Sequence, residues 1–137
     1  MNQKTRLLIS VAKAFIGIDI TPEDKVVDEF ACSDQLSKLL HLCFSEFPEG
    51  IASTEVLNKE LKKSKLFKET KEPKAGCVVV SPRTVAKNGH TGVLITDTMI
   101  VSNSSINGRL EQNYTLASWI KIFEKGRGLK TYFYEIK

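Results

Sequence analysis

The hydrophobic pattern of this chain changes period once, and that change limits the folds open to it. Up to about residue 61, apolar residues recur at helical spacing. They are Leu7, Leu8, Val11, Ala14, Phe15 and Ile18, then Leu36, Leu39, Leu40 and Cys43, then Val56, Leu57 and Leu61. Beyond Pro73 and Gly76 the apolar runs are short and β-rich: CVVVS at 77–81, TGVLIT at 91–96, TMIVSN at 98–103 and KTYFYEI at the end. Helices first and strands later specify an α+β domain, with N-terminal helices packed on a mainly antiparallel sheet.

The spacing predicts a first helix over about 4–15, stopping near Gly17, and a polar stretch with a turn at Pro22. A second helix is expected from about Ala31 to Phe44, and a third after a cap at Ser53 or Thr54. Residues 65–69 read as irregular or a short strand, and 105–109 as a loop. A last short helix is expected over 116–123, anchored by Trp119 and broken by Gly126 and Gly128. In the final strand, Tyr132 and Tyr134 face opposite to Phe133. A length of 137 residues suits one domain, 1–137, with no linker or repeat.

Lys13 interrupts the N-terminal apolar run, and no small-residue cleavage pattern follows, so an amphipathic helix is expected there rather than a signal peptide. The sequence has no apolar stretch of membrane-spanning length. The net charge of +4 comes with a lysine-rich stretch at 59–74. That stretch reads as a solvated helix face, with attraction to an anionic polymer as the alternative. The aromatic residues lie apart from the lysines, so there is no stacking platform for nucleic acid. The three cysteines cannot all pair, and no CxxC is present. Zinc and other metal or cofactor chemistry is therefore not expected.

Two segments carry chemistry. FACSDQLSKLL sets Cys32 where a helix should begin, and a helix start favours a thiolate. NGHTGVLI sets His90 at the mouth of a strand, where an imidazole can take a thiol proton and return it to a leaving amine. Cys32 is therefore expected to be the most reactive thiol, with its own backbone N–H as an oxyanion donor. His41 lies nine residues along the same helix, roughly 13 Å of rise away, too far to serve. A catalytic imidazole needs an acceptor on its second nitrogen. Asn103 and Ser102 both qualify, but they project to opposite faces of their strand, so only one can serve. Asn103 is the better amide acceptor; Ser102 takes the role if the register shifts by one. The bland alternatives are a buried core thiol at Cys32, a turn histidine at His90 and a strand-capping Asn103.

Together these segments resemble the papain-like cell-wall peptidases of the NlpC/P60 and CHAP type. FACSDQLSKLL is similar to their nucleophile helix, GHTGVLI to their G-H-V-G-I-V strand, and MIVSNSS to the strand bearing the third residue. The likeness runs loosely from residue 4 to 136. It implies a cysteine peptidase or amidase that cleaves peptide or amide bonds in peptidoglycan. Cys32 would be the nucleophile, His90 the base, and Asn103 or Ser102 the orienting group. A phage lysin or virion-associated product is the expected setting. The alternatives are a protein-directed peptidase, an acyltransferase, or a non-catalytic structural protein that retains the fold.

Overall fold

The computed structural model describes residues 1–19, 28–104 and 106–137; the turn expected at Pro22 lies outside them. Three helices come first, α1 (Gln3–Ala14), α2 (Asp28–Cys43) and α3 (Thr54–Lys63). Asn2 caps α1 by accepting from the Thr5 amide, and Ser53 caps α3 by accepting from that of Val56. Six strands follow: β1 (Phe67–Thr70), β2 (Val78–Ser81), β3 (His90–Leu94), β4 (Met99–Asn103), β5 (Leu110–Thr115) and β6 (Tyr132–Ile136). They form one sheet in the order β1-β6-β2-β3-β4-β5, with every pairing antiparallel. The α+β arrangement expected from the change of period is the one observed.

Both faces of the central strands are covered, which is why β2 reads as an unbroken valine run rather than an alternation. On one face Val78, Val80, Val93, Val101 and Tyr134 pack against Leu8, Ala12, Leu36, Leu39, Leu40, Leu57 and Leu61 of the three helices. On the other, Cys77, Val79, Leu94 and Ile100 pack against Trp119, Phe123 and Leu129. The final strand alternates as expected. Tyr132 and Tyr134 join the helix-side core, and Phe133 packs on the opposite one.

Several local expectations are corrected. The inward face of α1 is centred on Leu8 and Ala12, while Leu7 and Ala14 are exposed. Val56 is 47% exposed and Asn58 is buried in its stead, where it accepts a 2.5 Å hydrogen bond from Tyr134 Oη. The stretch 110–115 is a strand, though its sequence LEQNYT shows no period-2 alternation. After it come a short helix, α4 (Leu116–Trp119), with a Thr115–Ser118 capping box, and a π-helix (Ile120–Gly126). Trp119 anchors them as expected, fully buried, with its indole N–H donating to Ser81 Oγ at 2.9 Å.

Gly92 sets how closely β3 approaches β4. A β-carbon there would lie 2.6 Å from the Val101 carbonyl oxygen and 2.8 Å from an Ile100 methyl. Gly92→Ala should therefore force the two strands apart and destabilise the protein by about 1–3 kcal/mol, read as a lower urea midpoint with an unchanged slope. An unchanged midpoint would show that the strands give way freely.

Candidate active site

His90 is the first residue of β3, and Gly89 before it is packed so tightly that a side chain would collide with Ser81, Arg83 and Thr54. Thr54, which opens α3, accepts from the Arg83 amide at 2.8 Å and so tethers the loop leading to the histidine. The imidazole stacks at 23° on both Trp119 and Phe123, with centroids 5.3 and 5.4 Å away. Tyr114 meets it edge-on at 5.6 Å.

A two-step relay fixes the tautomer of this ring. Its Nε2 lies 2.9 Å from Ser102 Oγ, and Ser102 Oγ donates to Asn113 Oδ1 at 2.7 Å. The serine has a single hydroxyl hydrogen, and it goes to Asn113. Nε2 must then donate to Ser102, which leaves Nδ1 with the basic lone pair. Ser102 is buried, so it serves the ring rather than an incoming substrate. The histidine is held neutral, its pKa pushed down to about 4, first by burial among the rings and then by the positive charge of Arg127.

Ser102, not Asn103, therefore meets the imidazole. Asn103 is buried on the helix side of β4, where its Oδ1 accepts a very short hydrogen bond from Gln35 Nε2. Chemical suitability favours the amide, but the register of β3 on β4, with Gly92 opposite Ser102, puts the hydroxyl on the histidine side.

Cys32 departs further from expectation. Helix α2 begins at Asp28, so Cys32 is its fifth residue, one turn in from the helix start rather than in the first turn. The thiol is 5% exposed, and burial pushes its pKa up to about 11. The Ser33 hydroxyl and the amides of Ser33, Thr91 and Cys32 itself act against that rise without overcoming it. Thr91 follows His90 directly, so α2 brings the thiol to the strand residue next to the histidine. Among the described residues, no hydrogen bond joins the sulfur to the imidazole. Cys43 is half-buried and Cys77 fully buried, and burial raises the pKa of both. All three thiols are free. His41 is elsewhere, with its Nδ1 2.7 Å from the Phe47 carbonyl oxygen.

Asn113, Tyr114 and Phe123 were not identified from sequence. The first two depend on a bulge in β5, where the pairing with β4 shifts register between Ile100 and Ser102. The bulge turns both Asn113 and Tyr114 toward the histidine. Among the described residues there is no cluster of three His, Cys, Asp or Glu able to hold a metal ion, and no helix long and apolar enough to cross a membrane. What the arrangement supplies is a neutral, tautomer-locked imidazole behind an aromatic wall, with a protonated thiol beside the next strand residue on the opposite face of the sheet. In comparisons with known proteins, no protein-family model and no curated sequence matches the chain.

The depressed pKa of His90 makes a stability prediction. Below an unfolded-state value of 6.5 the unfolded chain takes up a proton that the folded chain refuses until about pH 4. Stability should therefore fall as pH drops from about 6.5 to 4, by up to about 3 kcal/mol from this group. Urea denaturation at pH 7, 5.5 and 4.5 measures it, with His90→Phe as the control that keeps a ring in place. The part of the fall due to His90 should vanish in that variant; equal slopes in both proteins would contradict the assignment.

Proposed function

We propose that this chain is a cysteine hydrolase of peptide or amide bonds in peptidoglycan. Cys32 is the nucleophile, His90 the base, and Ser102 with Asn113 the relay that orients the base. The observation that carries the reading is the Nε2–Ser102–Asn113 chain. It is the arrangement a general base needs on its non-reacting nitrogen, and it leaves Nδ1 free to take a proton. The likeness of FACSDQLSKLL and GHTGVLI to cell-wall peptidase segments supplies the substrate class.

In this mechanism the Cys32 proton passes to Nδ1 as the sulfur attacks the carbonyl carbon, which requires substrate binding to bring together a thiol and a ring that rest on opposite faces of β3. The imidazolium then protonates the departing amine, the C–N bond breaks, and a thioester remains. Water, deprotonated by Nδ1, attacks the thioester and releases the carboxylic acid, and the proton returns to sulfur. With the thiol near 11 and the imidazole near 4, a resting ion pair is strongly disfavoured, so proton transfer accompanies attack rather than preceding it. The Thr91 amide beside the sulfur is a candidate oxyanion donor alongside the Cys32 N–H.

One observation favours a second reading, a structural protein that retains the fold: the nucleophile candidate is a buried thiol. Site-resolved alkylation separates the two. At pH 7 the half-buried Cys43 should label before Cys32. Incubation with peptidoglycan fragments should change the labelling of Cys32 if it meets substrate, and leave it untouched if the site is inert.

Turnover on purified peptidoglycan, with products identified by mass, tests the roles. Cys32→Ala should abolish hydrolysis, and His90→Ala should lower it by roughly 10²–10⁴-fold. Ser102→Ala and Asn113→Ala should each cost about tenfold or more, because the imidazole then visits the wrong tautomer. Asn103→Ala should leave turnover nearly intact but destabilise by about 1–3 kcal/mol, since it strands the buried Gln35 amide. The reverse ranking of Ser102 and Asn103 would remove the relay from the mechanism.

A further inference from the structure

We propose that Arg127 is a positioning residue for His90, a guanidinium latch joining the loop before the histidine to the rings behind it. Arg127 caps the C-terminal end of the π-helix, its own amide bonded to the Glu124 carbonyl. Gly128 follows at φ +70°, a left-handed conformation that ends the helix and fixes where Arg127 projects. From there Nη1 donates to the carbonyl of Asn88 at 3.0 Å, two residues before His90. The guanidinium also lies 4.8 Å from the centre of the Phe123 ring. Phe123 is in turn one of the two rings stacked on the imidazole.

The loop at 82–89 is largely exposed, and it must nevertheless deliver His90 at a fixed angle. Thr54 holds its start through the Arg83 amide, and a Thr84–Lys87 turn shapes its middle. Arg127 holds its end. Arginine suits this task because its planar group can donate at its edge while its face rests on an aromatic ring. A lysine cannot do both from one position.

The latch also has an electrostatic side. The titratable groups around the His90 ring are the Tyr114 phenol from β5 and Arg127 itself; the Cys32 thiol, which α2 brings beside Thr91, lies on the other face of β3. Burial keeps the phenol and the thiol protonated and uncharged at neutral pH, so the guanidinium is the charge that acts on the ring. It adds to burial in keeping the imidazole a free base. The catalytic meaning of the latch rests on the base role proposed for His90; its structural meaning does not.

The test uses the full chain as wild type, R127Q and R127K. The His90 ring signals are followed by NMR from pH 3 to 8, beside urea denaturation and turnover on peptidoglycan from pH 4 to 8. In R127Q the His90 midpoint should rise, and the acid limb of the turnover profile should move up with it. The turnover number should fall by roughly tenfold, with a smaller change in KM, as the ring loses its fixed aim. R127K should restore the midpoint, because the charge returns, but not the turnover number. Unchanged His90 midpoints and ring shifts in a folded R127Q would overturn the latch. A wild type without turnover would overturn the hydrolase reading, and the NMR titration would then decide the latch alone.

Discussion

Everything in this molecule depends on a sheet whose central strands are covered on both sides. Val78, Val80, Val93 and Val101 bind it to the helices, and Val79, Leu94 and Ile100 bind it to the cluster around Trp119. The two faces divide the candidate chemistry. Helix α2 belongs to the helix-side layer and brings Cys32 to the Thr91 amide, while the His90 ring sits among the aromatic residues of the other layer. The strand that separates the layers also links them, because the residue beside the thiol is the neighbour of His90.

Burial sets the charge state of the pair. Helix packing buries the thiol, and three rings cover much of the part-exposed imidazole, so each group is driven toward its neutral form. That opposes the thiolate–imidazolium pair expected from a helix-start cysteine. In the proposed mechanism the thiol therefore keeps its proton until a substrate carbonyl is present to receive the sulfur.

Much of the architecture was legible because it rests on periodicity. The leucines of α2, the valine run of β2 and the alternation of the last strand each follow from one repeating geometry. The departures occur where periodicity carries no information. Nothing in TMIVSN says which of two adjacent polar residues faces the histidine; the register of β3 on β4 decides it through Gly92, which is a tertiary fact. The spacing puts the start of α2 near Ala31, whereas the helix itself opens at Asp28, which moves Cys32 out of the first turn. Strand β5 carries no strand signature because LEQNYT does not alternate, and the reason it does not is the bulge within it.

That bulge makes part of the site a matter of counting. One extra residue opposite Val101 lets Asn113 and Tyr114, neighbours in sequence, reach toward the same side of the sheet. An even ladder would send them to opposite sides. Chains of this fold could therefore gain or lose the asparagine relay by a single-residue insertion or deletion at 112–113, without exchanging any side chain around the histidine. In a comparison of sequences, the length of this short strand would then be as informative as the identity of the residues it carries.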